Sequence, residues 1–370
     1  MGDSLAQSSR IPIWLDCDPG HDRLIASFQD ACAILLSVYH PALQLLGIST
    51  THGNAPLSKT TLNTLSILEA IGQPQIPVLP GASRPFCRNV QPATDIHGES
   101  GLEGTHLLPV PRRKPLSHCN AIKEMHDALI STPVNTAWVV ATGPCTNTAL
   151  LFATYPHLAS HVRGVSIMGG AVGSHYTSVS MGPDYVDSKG QSHVRSGNIT
   201  PFAEFNIWAD PESARSVFTN PILRSKTVLI PLDLTHQAYA TPEIQEMLLN
   251  GIQGPTRLRT MFNELLMFFA KTYSEVFGLN EGPPLHDPLA VAVLLADHPD
   301  SGFKVPFDDH GGERWIVDVV LEGEQIGRTV VVQANDGDGV RIPRSLDLAR
   351  FWEVLNSCMG KADAATSYVK

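Results

Sequence analysis

The sequence predicts an α/β fold: an open, mostly parallel, Rossmann-like sheet with helices on both faces. Three observations carry that expectation. Short, nearly continuous apolar runs alternate with longer segments of helical periodicity, as parallel strands buried on both faces require. Polar residues cluster just after several of those runs, where open parallel sheets bind ligands. The composition, 43% hydrophobic and 17% charged over 370 residues, supplies a large core and excludes a disordered or coiled-coil chain.

Ile11-Pro-Ile-Trp-Leu15 reads as a first buried strand, ended by the turn Asp16-Cys-Asp18-Pro-Gly20. Ala31, Ile34, Leu35 and Val38 recur at helical spacing and close near His40-Pro41. A second strand over 45–50 ends at Thr51-His-Gly-Asn54, and a helix over 59–71 leads to a strand at 76–79. Further strands are predicted at 136–141, 162–168, 226–232 and 315–319. The longest apolar run, 289–296, has the length of a core strand or buried helix, well below the ~20 residues of a membrane span. Residues 84–114 and 169–201 read as long irregular connections, which in compact domains are usually functional. Without repeats or a linker, one domain is expected over 11–358, between an N-terminal tail (1–10) and a C-terminal tail (359–370).

The net charge of -10, from 26 Lys and Arg against 36 Asp and Glu, argues against a nucleic-acid partner, since such binding neutralises phosphates with cations. The first residues lack the apolar core of a secretory signal. Six cysteines without a CxxC pair favour a reducing compartment over a disulfide or zinc framework. Together these point to a soluble, cytoplasmic protein with no membrane partner.

Asp16-Cys-Asp18-Pro-Gly-His-Asp22 puts three carboxylates on one strand-to-helix turn. Asp16 and Asp18 share a face, because side-chain direction in a strand repeats every second residue. Grouped carboxylates repel unless a cation neutralises them, and oxygen-only donors suit Ca²⁺ or Mg²⁺ rather than zinc. Helix-capping aspartates are the plainer alternative. An EF-hand is excluded by Pro19 and by the missing twelfth-position Glu. His286-Asp287-Pro288 opens the longest apolar run, where a His-Asp pair also serves as a helix cap. Within Asn198-Ile-Thr-Pro-Phe-Ala-Glu204-Phe205-Asn206, Glu204 and Asn206 are expected on one face of an extended segment, suited to paired sugar hydroxyls. Thr142-Gly-Pro-Cys-Thr-Asn147 lies on another strand-to-helix turn, whose free carbonyls can reach a metal.

Taken in order, these segments resemble the inosine-uridine preferring nucleoside hydrolase family, from about residue 11 to 351. The resemblance rests on Asp16-Cys-Asp18-Pro-Gly-His-Asp22 followed by Asp30-Ala31, on Gly53-Asn54, on Ile96-His97-Gly98 through Leu102, on Thr142-Gly143-Pro144, on Met168-Gly169-Gly170, on 198–206 and on His286-Asp287-Pro288. It implies the nucleoside hydrolase fold and Ca²⁺-dependent hydrolysis of the N-glycosidic bond of inosine- or uridine-type ribonucleosides, giving base and ribose in purine and pyrimidine salvage. It also implies a homodimer or homotetramer. Asp18 would touch the Ca²⁺ and act as general base on its water, with Asp30, Asp287 and the carbonyl of Thr142 as further ligands and Asp16 behind them. Asp22, Asn54, Glu204 and Asn206 would grip the ribose, with Asn198 near the 5′-hydroxyl, Met168 beneath the sugar and Phe205 beside it. His286, helped by His97, would protonate the leaving base. Tyr273 and Phe277, at i, i+4 spacing, would stack on the base, although core aromatics have the same spacing.

The chain departs from the family at two places. The last two aspartates of the opening signature are adjacent in the family, whereas Arg23 to Gln29 separate Asp22 from Asp30 here. A helix that absorbed seven residues would carry Asp30 about 10 Å along its axis and leave Arg23 beside the cation. A bulged insertion would return Asp30 to the site, although Leu24, Ile25 and Phe28 suit exposure poorly. Ser27-Phe28-Gln29 can also be encoded as a pyrimidine-rich tract ending in CAG, so translated intron is a third reading. The second departure, the excess over 174–196, is expected as a surface loop or lid near the 5′ side of the pocket. Two other functions compete: a ribose-binding relative disabled by the insertion, and a haloacid-dehalogenase-like phosphohydrolase, which also opens with Asp-x-Asp after a strand.

Overall fold

Strand β1 (Ile11–Cys17) is buried along almost its whole length, and its alternation divides the interior in two. Ile13, Leu15 and Cys17 join one buried cluster, while Trp14 joins the other on the opposite face, as a period of two requires. The computed structural model describes residues 10–20, 28–90, 105–173, 176–179, 181–186, 190–277, 281–334 and 337–366. After β1 come β2 (Leu43–Thr50), β3 (Val78–Pro80), β4 (Trp138–Ala141), β5 (Gly164–Met168), β6 (Tyr185–Val186), β7 (Ser192–His193), β8 (Thr227–Ile230), β9 (Phe307–Asp308), β10 (Arg314–Val319), β11 (Thr329–Gln333), β12 (Val340–Arg341) and β13 (Ser345–Leu346).

Nine of these strands form one sheet in the order β11-β10-β12-β8-β5-β4-β1-β2-β3. Every pairing from β12 to β3 is parallel, and β10 runs antiparallel to both its neighbours. The expected mostly parallel α/β sheet is therefore present. Chain order reverses between β1 and β4, with β2 and β3 on one side and β5 and β8 on the other. Such a reversal leaves a crevice at the strand C-termini. Asp16 pairs with Ala141 across it, and the Thr142 N–H continues the ladder onto the Asp16 carbonyl at 2.8 Å.

Two helices pack beneath the crevice. The helix Phe28–Tyr39 buries all of residues 28–37, so it is enclosed rather than amphipathic. Its Phe28 ring meets Phe262 edge-on at 6.2 Å. The helix Asp287–Ala292 is wholly buried, and Ser166 Oγ of β5 donates to its Ala290 carbonyl at 2.7 Å. The apolar run at 289–296 is thus helical, with Pro288 at a first-turn position that its fixed φ favours.

The final helix, Leu348–Thr366, crosses the expected boundary at 358. Phe351, Leu355, Met359 and Ala362 are buried at steps of four, four and three, one helical stripe. Residues 359–366 therefore continue the helix, with Met359 and Ala362 seated in the core, rather than forming the expected C-terminal tail. The expected surface loop at 174–196 contains the β6–β7 hairpin, with Tyr185 stacked on His193 at 5.1 Å. Among the described residues no helix is long and apolar enough to cross a membrane. All six cysteines are free.

Candidate active site

Acidic side chains gather where β1 ends. Asp16 Oδ1 accepts hydrogen bonds from Ser49 Oγ (2.6 Å) and Asn147 Nδ2 (2.8 Å), and Ser49 in turn accepts from the Trp14 indole N–H at 3.0 Å. Burial nevertheless pushes the Asp16 carboxyl up to about 7. Asp18 is fully buried. Its Oδ2 accepts the Asn54 N–H at 2.8 Å, while its Oδ1 has no hydrogen-bond partner among the described residues. Burial, and next the charge of Asp30, hold its carboxyl well above the ordinary range. Asp287 is raised likewise, by burial first and then by Asp30 and Asp18. Asp30 Oδ1 lies 3.4 Å from Thr142 Oγ1.

Two glycines make room for Asp18. Gly53 has φ +154°, and a Cβ there would stand 1.9 Å from Asp18 Oδ2; one on Gly143 would stand 2.7 Å from Oδ1. The loops after β2 and β4 therefore close on this carboxylate from two sides.

Glu204 keeps the extended backbone, but Asn206 lies in the first turn of a helix, so the two do not share one extended segment as expected. Glu204 caps the helix Phe205–Ala209, its carboxylate accepting the N–H groups of Asn206 (2.9 Å), Ile207 (3.1 Å) and Gly170 (2.8 Å). Those otherwise unpaired helix donors explain why the chain turns there. Burial pushes the Glu204 carboxyl up to about 7 against the pull of these donors. Asn206 Nδ2 bridges the carbonyls of Thr142 (3.0 Å) and Met168 (3.1 Å). Asn198 Oδ1 accepts the Phe205 N–H at 2.9 Å, and Phe205 is buried.

His286 precedes the helix that carries Asp287. Its Nδ1 lies 2.6 Å from Thr235 Oγ1, and its ring is 5.4 Å from that of His236. Burial, and then His236, hold its imidazole well below the ordinary value.

This arrangement can now be set beside known proteins. The family model described as inosine-uridine preferring nucleoside hydrolase matches residues 13–353. The chain belongs to that family. It is accordingly an enzyme that cleaves N-glycosyl bonds of ribonucleosides. Curated relatives include the uridine nucleosidase of Saccharomyces cerevisiae, 39% identical over 96% of this chain and 97% of that protein. Another is the pyrimidine-specific ribonucleoside hydrolase RihB of Shigella sonnei, 34% identical over 94% and 96%. Among solved structures, the plant nucleoside hydrolase PpNRh1 matches with TM-score 0.73 and 25% identity over 94% of this chain and 98% of that one. The purine-preferring ribonucleoside hydrolase from Gardnerella vaginalis shares the fold, with TM-score 0.74 and 24% identity over 95% and 98%.

Members of this nucleoside hydrolase family bind a metal ion, and the residues here fit a hard divalent cation. Asp18 Oδ1 is buried without a partner among the described residues, the charge of Asp30 raises both Asp18 and Asp287, and only carboxylate and carbonyl oxygens are offered. Among the described residues no three acidic, His or Cys side chains are spaced as a finished metal cage.

The fold thus gathers Asp16, Asp18, Asp30, Asp287, Thr142, Met168, Glu204 and Asn206. Asp22 and His97, and the side chains of Tyr273 and Phe277, lie outside the described residues. The inner end of the insertion lies within them. Among the described residues the helix runs from Phe28, and its Asp30 lies beside Thr142 and Asp287, so Asp30 is not carried away from the site. Phe28 and Gln29 are themselves buried. Sequence reasoning missed Ser49, Thr235 and the role of Gln29, none of which belongs to a local motif that could have drawn attention. Asn147 and the cradling Gly53 and Gly143 stood in strings already singled out, but without a role.

Proposed function

We propose that this nucleoside hydrolase is Ca²⁺-dependent and acts on uridine-type ribonucleosides, releasing base and ribose for salvage. The observation that carries the reading is the meeting of Asp18, Asp30 and Asp287 below the β1–β4 crevice, with Asp18 Oδ1 buried and unpartnered. The uridine preference is supported by the two relatives whose names specify uridine or pyrimidine substrates.

Asp18, Asp30, Asp287 and the Thr142 carbonyl would hold the cation, with Asp16 supporting them through Ser49 and Asn147. When bound, Ca²⁺ orients a water and makes it more acidic. Asp18 would take a proton from the attacking water as the water oxygen bonds to C1′. The C1′–N bond breaks, and its electron pair leaves with the base. Positive charge developing on the ribose faces the surrounding carboxylates, which stabilise it. Asp22, Asn54, Asn198, Glu204 and Asn206 would hold the sugar hydroxyls, with Met168 and Phe205 against its apolar surface. Glu204 keeps lone pairs beyond its three backbone partners, and Asn206 keeps its carbonyl oxygen.

The low proton affinity of His286 makes it a neutral imidazole at pH 7. It would therefore assist the departing base as a hydrogen-bond donor from Nε2, with the Thr235 hydroxyl donating to Nδ1. The resemblance would add His97 to that assistance and Tyr273 as a stacking partner for the base. A panel of nucleosides assayed for free ribose, with and without a chelator, tests the reading. Uridine should yield ribose, chelation should abolish the rate and Ca²⁺ should restore it. Nucleoside binding without turnover would instead identify a disabled relative, and phosphate release from nucleotides alone a phosphohydrolase.

A further inference from the structure

The segment that delivers His286 is extended, and its backbone groups face two ways. On one side the Leu285 N–H donates to the Ala238 carbonyl at 2.9 Å, and the Pro283 carbonyl accepts the Ala240 N–H at 3.0 Å, forming an isolated antiparallel bridge between Tyr239 and Pro284. In an extended chain the next groups along, the Pro284 carbonyl and the His286 N–H, must point to the opposite side. There they meet the buried side chain of Gln29. Its Nε2 donates to the Pro284 carbonyl at 3.4 Å, and its Oε1 accepts the His286 N–H at 2.5 Å. One carboxamide thus supplies the donor and the acceptor that a neighbouring strand would have offered.

We propose that Gln29, at the inner end of the insertion, is a positioning residue that holds the backbone of His286 and so aims its ring at the leaving base. The proposal rests on the reading of His286 as the group that assists base departure. Gln29 clamps the backbone while Thr235 meets the ring at Nδ1, so the imidazole is fixed at two points from two different elements. The residue just before Asp30, where the resemblance leads one to expect a carboxylate, here serves the departing base instead of the ribose. The described end of the insertion is accordingly part of the working site.

Gln29→Met keeps the length and volume of the side chain and removes both hydrogen bonds. The test compares uridine with p-nitrophenyl riboside, whose leaving group is stable as an anion and needs no assistance. His286→Ala and calorimetric Ca²⁺ titration run alongside. Gln29→Met should lower kcat for uridine about tenfold, part of the roughly 10²–10⁴-fold that acid-base assistance supplies, while p-nitrophenyl riboside stays within about twofold. Ca²⁺ affinity should be unchanged, and His286→Ala should show the same selectivity more strongly. Should Gln29→Met fail to fold, Gln29→Asn, too short to reach both partners, should give the same selective loss. An unchanged uridine rate overturns the proposal while leaving the role of His286 intact. Equal losses on both substrates with weakened Ca²⁺ binding also overturn it, by placing the effect at Asp30 and Asp287. If His286→Ala itself slows both substrates equally, the reading of His286 fails and the proposal with it.

Discussion

Replacing Gly53 by alanine tests whether Asp18 is the reacting carboxylate. The new Cβ would stand 1.9 Å from Asp18 Oδ2 and 2.8 Å from Pro144 Cδ, at φ +154°. Since real Cβ contacts do not fall below 3.0 Å, the carboxylate must withdraw by about 1 Å, breaking its 2.8 Å bond from the Asn54 N–H. A displacement of about 1 Å at a reacting group can cost about 10²-fold in rate, or about 2.7 kcal/mol of barrier. The backbone strain adds on the order of 1–3 kcal/mol to the cost of folding. Ribose release from uridine should therefore fall about 10²-fold, with weaker Ca²⁺ binding by calorimetry and a protein that still folds. Gly254→Ala is the control, because Gly254 also has positive φ (+87°) but nothing within 4 Å of its Cβ position; its activity should be unaffected. A Gly53→Ala enzyme with wild-type kcat and Ca²⁺ affinity would refute the placement of Asp18 at the reaction centre.

Other consequences are as direct. Thr235→Val removes the hydroxyl 2.6 Å from His286 Nδ1 and should lower kcat for uridine about tenfold with little change in KM; an unaltered kcat would show that the ring needs no such support. Phe28→Ala empties a fully enclosed position against Phe262 and should cost about 3–5 kcal/mol in urea unfolding; a negligible loss would mean that the end of the insertion is not seated in the core. The pH dependence of stability follows from Asp16 and Glu204, both raised to about 7. Their neutral forms are favoured in the fold, so stability is fully present below the ordinary carboxylate values and is lost as pH rises through about 7. For Asp16 the rise from 3.8 to about 7 corresponds to about 4 kcal/mol. Without a cation the Tm should drop between about pH 5 and pH 8, and Ca²⁺ should raise it more at pH 8 than at pH 5; a cation-free protein that gains stability over that interval would contradict the burial of these acids.

Much of the molecule was legible from residue order. The apolar runs placed the parallel strands, because a strand covered on both faces must be apolar throughout, and the polar turns after them marked the end of the sheet where ligands bind. Asp16, Asp18, Thr142 and His286-Asp287 could be read as site residues because each sits at the end or start of such an element. The extended reading of 198–206 failed for a local reason: Glu204 uses its own carboxylate to cap a helical turn, and its third donor, Gly170, comes from a distant loop.

What the sequence alone determined was the fold class and the family, since these depend on patterns within single segments. Only the tertiary structure decided where Asp30 goes after the insertion. Its position is set by contacts far along the chain, Phe28 on Phe262 and Gln29 on residues 284 and 286. A residue placed by such long-range partners has no local signature, so counting residues along a helix axis could not place it.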